Sequence, residues 1–154
     1  MISKRILLPY EFTSFNRKAL EFVGQTFGKQ PETHVTLFHA HTPLPEIDLT
    51  ANPEMLKLRS PITSLTQELK EKEAGLNAVM RDLGAMGFHG DQLDCVFQKR
   101  EKGVSDAIVQ MAKKGNYQIV VLTRTPFKVL RLFGRSVSSK VITALEDMTV
   151  CLVL

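Results

Sequence analysis

The strongest constraint on this chain is an alternation of two hydrophobic periods. Five short apolar runs are separated by four stretches of helical spacing, and the last run closes the sequence. "RILLP" (Arg5 to Pro9) is an apolar run ended by proline, as in a buried strand. From Asn16 to Phe27, Ala19, Leu20, Phe22, Val23 and Phe27 recur at helical spacing, and Gly28 supplies a stop. His34 to His41 is β-branched and aromatic, which predicts a second strand. Pro43, Pro45, Pro53 and Pro61 punctuate an irregular stretch. Ile62, Leu65, Leu69, Leu76, Val79 (or Met80) and Leu83 then mark a long amphipathic helix with a core-facing stripe, closed at Gly84 and Gly87. Gln92 to Phe97 predicts a third strand. The next helix has Ser105 as N-cap and Lys113 and Lys114 in its last turn. Tyr117 to Thr123 is the most strand-like run. A helix from Ser136 to Leu145 and a strand from Thr149 to Leu154 complete the order βαβαβαβαβ.

Strands separated by helices pair in parallel through right-handed crossovers, so helices cover both faces of the sheet. The expected fold is a single α/β domain over residues 1–154, doubly wound around a five-stranded parallel sheet. Ligands of such sheets lie beyond the C-terminal ends of the strands, where the strand order reverses. That directs attention to the loops after the first and fourth strands, "YEFTS" and "TRTPFKVLRLFGRS".

Composition narrows the class. A hydrophobic fraction of 44% and a charged fraction of 23% belong to a soluble globular chain. No apolar run approaches the ~20 residues of a membrane span. The apolar "ILL" before Pro9 is too short for a signal peptide, so a cytoplasmic location is expected. Cys95 and Cys151 sit in apolar β-like runs and read as buried free thiols of a reducing compartment. The net charge of +4 is unevenly spread. Between Ala107 and Leu145 there is no acidic residue, while Lys113, Lys114, Arg124, Lys128, Arg131, Arg135 and Lys140 are all basic. An anionic ligand or an acidic partner is the physical inference. Nucleic acid is the least supported partner, because the aromatics are not interleaved with the basic residues as stacking platforms require.

The opening "RILLPYEFTSFNRKALEF", the middle "VTLFHAHTPLP" and the final third "GVSDAIVQMAKKGNYQIVVLTR…GRSVSSKVI…MTVCLVL" together resemble universal stress protein domains. The resemblance covers nearly the whole chain and is least clear between Glu46 and Gly90. It implies a Rossmann-like, adenine nucleotide alpha hydrolase-like fold and, in members that bind nucleotide, ATP or AMP with Mg²⁺. ATP-binding members carry G-x2-G-x9-G-[ST] after the fourth strand. At those positions this chain has Leu122, Thr125 and Arg135, and Ser136 keeps the hydroxyl. Sliding Gly134 into the third place puts Arg135 where the Ser or Thr belongs, so neither alignment restores the motif. Glycine in such a loop lets backbone N–H groups reach phosphate oxygens without an intervening Cβ. Thr125 resists positive φ, and Pro126 holds it extended and removes a donor. The family's pocket acid after the first strand is here Glu11. By resemblance the nucleotide- or anion-binding candidates are Pro9, Tyr10, Glu11, Phe12, Thr13, Ala40, Leu122, Arg124, Thr125, Arg135, Ser136, Val137 and Ser138.

Other chemistry is thinly supported. His39 and His41 share a strand face, but no third metal ligand is visible beside them. His41 is placed near the strand's C-terminal end, at the edge of the expected pocket. Glu11 and Thr13 lack the second acid and phosphate loop of a phosphoryl-transfer site. G-x-S-x-G, GK[ST] and HExxH are absent from the sequence. No catalytic residue and no metal ligand is assigned. The terminal strand is an apolar edge, and an exposed edge pairs readily. Universal stress proteins commonly dimerise through that strand, which implies a homodimer built on Val150, Cys151, Leu152, Val153 and Leu154. The expectation is a non-catalytic regulatory protein acting through protein contacts, with an unidentified partner, or through an anionic ligand. The alternative is an adenine-nucleotide binder with a degenerate phosphate loop.

Overall fold

The computed structural model describes residues 3–124 and 136–154. Thr125 and Arg135, with Pro126, Lys128, Arg131 and Gly134, lie outside the described residues. Five strands form one parallel sheet: β1 (Lys4–Pro9), β2 (Thr33–His41), β3 (Leu93–Lys99), β4 (Ile119–Thr123) and β5 (Thr149–Val153). Four described helices connect them: α1 (Ser14–Phe27), α2 (Arg59–Ala85), α3 (Val104–Lys114) and α4 (Val137–Ala144). The strand order is β3-β2-β1-β4-β5, so the winding reverses between β1 and β4. This is the doubly wound α/β fold that the alternation predicts.

Period-two alternation along the central strands divides the apolar residues between two cores. Ile6 and Leu8 of β1, Val35 and Leu37 of β2, and Val121 of β4 face α1 and α2. Leu7, Phe38, Ala40, Val120 and Leu122 face α3 and α4. The first layer receives Ala19, Leu20, Val23 and Phe27 from α1 and Leu76, Val79 and Leu83 from α2. The second receives Ala107, Ile108 and Ala112 from α3 and Val141 from α4.

The α1 and α2 ends meet closely. Gly87 after α2 has φ 115°, and a Cβ there would stand 2.5 Å from the Gly28 carbonyl oxygen. Only glycine serves at that crossing.

Several boundaries and exposures differ from the sequence expectation. The long helix starts at Arg59, and its stripe is core-facing only in its second half. Leu76, Val79 and Leu83 are buried, Ile62 and Leu69 are half-buried, and Leu65 is 41% exposed. The reason is length. The helix has 27 residues, roughly 40 Å at 1.5 Å per residue. β2, with 9 residues, spans only about 30 Å. The first turns of α2 therefore extend past the sheet. A short 3₁₀ turn, Pro53–Leu58, capped by the Asn52 side chain, leads into the helix from the Pro-rich stretch.

The two thiols are not buried: Cys95 is exposed and Cys151 half-buried. Each lies on an outer strand, β3 or β5, where covering helices shield less than they do over β1. Partial burial and the nearby Glu73 still push the Cys95 thiol above its ordinary pKa. Ser105 does not cap α3. Gly103 occupies that position, and Ser105 is buried in the first turn. The third strand begins at Leu93 because Gln92 belongs to a preceding 3₁₀ turn. Its side-chain amide donates to the carbonyls of Gln30 and Thr33. Tyr117 lies before β4 and packs beneath the Arg5 guanidinium.

Leu20→Ala, in a fully buried site, is expected to lower unfolding free energy by about 2–5 kcal/mol in urea titration. Leu65→Ala on the overhanging half of α2 is expected to stay within about 0.5 kcal/mol of wild type. Equal losses at the two positions would contradict the division of α2 into covered and overhanging halves.

Candidate functional site

A cavity of about 320 Å³ opens where the strand order reverses, between the C-terminal ends of β1 and β4. Alternate residues of the loop after β1 build one wall. Pro9, Glu11 and Thr13 line the cavity, while Tyr10 packs into the core under α1 and α2. Phe12 turns away with Tyr10. Its backbone has φ 59°, a conformation most side chains avoid. Its ring meets those of Tyr10 and His39 edge-on, at 5.2 and 5.1 Å between centroids. Gly75 of α2 makes room, since a Cβ there would stand 2.8 Å from the Phe12 ring.

Asn16 holds this loop in place. Its Oδ1 accepts from the backbone N–H groups of Glu11 at 3.2 Å and Thr13 at 3.1 Å, and from the Thr13 hydroxyl at 2.8 Å. Its Nδ2 donates to Thr123 Oγ1 at the end of β4, at 3.4 Å. Two amides flanking a residue of positive φ converge on one point, a concavity suited to an anion. Here a side chain of the same chain fills it. One buried carboxamide thus joins the two loops bounding the cavity.

The opposite wall is apolar, with Ile108, Leu122 and Val137, and carries Ser138 and the exposed Arg124 at its edge. Arg124 is tied through its backbone N–H to the Val153 carbonyl. Ser136 caps α4, accepting from the Ser139 N–H at 3.0 Å, and its hydroxyl lies 3.1 Å from that of buried Ser138. The first turn of α4 therefore faces the cavity, where a helix start favours negative charge.

Glu11 is the acid of the site. Burial raises its pKa to about 7 against the opposing fields of Arg100 and Lys72. Its Oε2 lies 3.8 Å from His39 Nδ1. That nitrogen is 2.6 Å from the Tyr10 carbonyl, which can only accept, so it carries the proton. Burial holds His39 below its ordinary pKa. His39 and His41 share the face that the alternation predicts, both packing on Phe97. Among the described residues no three His, Cys, Asp or Glu groups are placed to hold a metal.

Of the thirteen candidate binding residues, Pro9, Glu11, Thr13, Leu122, Arg124, Val137 and Ser138 meet at the cavity. Ser136 stands behind Ser138 as the cap. Tyr10 and Ala40 are packed in the two cores, and Phe12 acts as a prop between Tyr10 and His39. His41 does not line the cavity. Sequence reasoning passed over Phe15, Asn16, Ile108 and Thr123, which also line it. Asn16 was the legible one. A polar side chain three residues after a threonine at a helix start is the spacing at which side chain and cap backbone bond.

Known proteins share this fold. Residues 3–150 match the model of the universal stress protein family. The chain belongs to that family. No curated protein matches it significantly. Among solved structures it is similar to the hypothetical protein MJ0577, with a TM-score of 0.69, 19% identity, and 99% of this chain and 96% of that one covered. A universal stress protein from Archaeoglobus fulgidus in complex with dAMP has a TM-score of 0.61 and 16% identity, with 99% and 98% covered. A family protein from Arabidopsis thaliana with AMP bound has a TM-score of 0.57 and 13% identity, with 97% and 90% covered. At these identities the likeness establishes the universal stress protein fold. No helix among the described residues is long and apolar enough to cross a membrane.

Asn16→Ala is expected to cost about 1–3 kcal/mol of stability by leaving three donors without their acceptor. Asn16→Asp keeps that acceptor, can accept from the Thr123 hydroxyl where Asn16 donates to it, and should recover most of the loss. Equilibrium unfolding of the two variants checks this, and equal destabilisation by both would remove Asn16 Oδ1 from the role of loop anchor.

Proposed function

We propose that this chain is a cytoplasmic, non-catalytic regulatory protein whose cavity takes an adenine nucleotide and whose β5 edge forms a homodimer. The observation that carries the reading is the cavity itself. About 320 Å³ of mainly apolar space stands at the strand-order reversal, within the size range of small-molecule sites. Ile108, Leu122 and Val137 offer the apolar surface a base and ribose bury, and Ser138 and Arg124 offer donor and charge to a phosphate. The dAMP and AMP bound by the Archaeoglobus and Arabidopsis proteins support this choice of ligand. AMP is preferred over ATP with Mg²⁺, because the glycines that would cradle a triphosphate are Leu122, Thr125 and Arg135 in this sequence.

The placement of the cavity's hydroxyls supports a non-catalytic role. Ser138 meets Ser136, and Thr13 donates to Asn16, so neither is set against a general base. The missing glycines also favour a second reading, in which the site holds no nucleotide and the protein acts through contacts with an unidentified protein. Titration of ligand-stripped protein with AMP in a calorimeter decides between them. Binding at micromolar strength is expected; no heat and no thermal shift at millimolar AMP would leave the second reading.

The dimer is argued from β5. It is an outer strand paired on one side only among the described residues, and Leu152 and Leu154 are 39% and 71% exposed. Val150, Cys151 and Val153 are half-buried beside them. Pairing this edge with a second copy would satisfy its backbone groups and cover those leucines. Light scattering at tens of micromolar should give twice the 17.3 kDa chain mass, and Leu152→Asp should give the monomer. A monomeric wild type, or an assembly indifferent to the charge, would refute the interface.

A further inference from the structure

One aromatic side chain of the cavity belongs to neither core. Phe15 stands in the first turn of α1, lines the cavity beside Thr13, and is 40% exposed. Among the described residues it packs into neither hydrophobic cluster. The apolar residues of the opposite wall differ from it. Ile108 and Leu122 are buried in the core under α3 and α4, and Val137 packs against that core. A lone phenylalanine on an open surface needs no explanation. On the wall of an apolar cavity it supplies an aromatic face.

The polar groups of the cavity are disposed otherwise. The amides of Glu11 and Thr13, which converge as an anion site would, are filled by Asn16 Oδ1 at 3.2 and 3.1 Å. The Thr13 hydroxyl goes to the same oxygen. Leu122 sets a buried side chain where the glycine motif would open the backbone to phosphate. Arg124, which is exposed, and Ser138 stand at the cavity's edge. A phosphate drawn into the apolar interior would give up water for few donors, which is costly. A base drawn in would bury apolar surface and leave the charge outside.

We propose that the cavity takes its nucleotide base first, with the base stacked on the Phe15 ring against Ile108, Leu122 and Val137, and the phosphate left at the rim beside Arg124 and Ser138. Phe15 is then a specificity-determining residue, and it selects ligands that carry a flat aromatic ring. Stacking reads the face of a base and not its edge. The selection is therefore of a nucleoside over a sugar phosphate, and it does not rank adenine against guanine. The inference rests on the nucleotide reading for the class of ligand, and adds the orientation and the residue that senses it.

The test is calorimetric titration of the ligand-stripped protein with AMP, adenosine and ribose 5-phosphate. Adenosine should bind within about tenfold of AMP, because an exposed ion pair at Arg124 contributes little. Ribose 5-phosphate should give no heat at millimolar concentration. Phe15→Ala should weaken AMP and adenosine alike, by roughly 5- to 150-fold. Phe15→Leu, which keeps apolar bulk without the ring, should lose most of the same affinity. Phe15→Trp should keep it. The chain has no tryptophan, so the emission of that variant reports stacking directly, by quenching as AMP is added. All three variants should melt with the wild type, since Phe15 lies outside both cores.

Ribose 5-phosphate bound as tightly as AMP, or adenosine bound more than tenfold more weakly, would overturn the orientation and leave the nucleotide reading standing. AMP affinity unchanged in Phe15→Ala or Phe15→Leu would overturn it as well. A wild type that binds neither AMP nor adenosine at millimolar concentration would instead sink the nucleotide reading, and the orientation with it.

Discussion

Everything in this molecule is arranged around the burial of β1. Ile6, Leu7 and Leu8 have no exposed surface, so the strand must be covered on both faces and paired on both edges. β2 and β4 supply the edges and the two helical layers supply the faces. Because successive residues of a strand point to opposite sides, three consecutive apolar residues commit the chain to two cores. Strand order must then run outward from β1 in both directions, and the reversal leaves a crevice at its C-terminal end. The cavity is a consequence of how the central strand is buried.

That crevice is closed by hydrogen bonds more than by packing. Asn16 gathers three donors from the loop after β1 and reaches Thr123 at the end of β4. The same carboxamide holds Phe12 at positive φ, where its ring lies between Tyr10 and His39. His39 in turn is oriented by the Tyr10 carbonyl. A short polar chain therefore runs from the helix start through the strained loop to β2. Glu11 Oε1 and His39 Nε2 are buried in it without hydrogen-bond partners among the described residues.

The chain has the universal stress protein fold, and its sequence departs in side chains from the glycine pattern of the nucleotide-binding members. Leu122 stands where that motif begins with glycine, yet it is a buried residue of β4 whose face belongs to the α3 and α4 core. It makes the cavity floor apolar instead of opening the backbone to phosphate. Glu11 stands where the family has an acid, but it is buried enough for its proton to remain near neutral pH.

The alternation of apolar runs was enough to determine the parallel sheet, its doubly wound order and the two loops that frame the crevice, because those follow from periodicity and chain connectivity. The cap at Ser136 was equally legible, being a local hydrogen bond between neighbours in sequence. Burial of Cys95 and of the first half of α2 was misread for a related reason. Composition makes a segment apolar, but only the extent of the sheet decides how much of it is covered. The role of Asn16 toward Thr123 spans 107 positions, and the approach of Glu11 to His39 brings the loop after β1 against β2. Such contacts depend on where two backbones pass each other. Tertiary structure alone therefore decided which of the candidate residues line the cavity, and how far burial raises the Glu11 carboxyl's pKa. A pKa is set by the dielectric and partners around a group, and neither is written in the residues beside it in the chain.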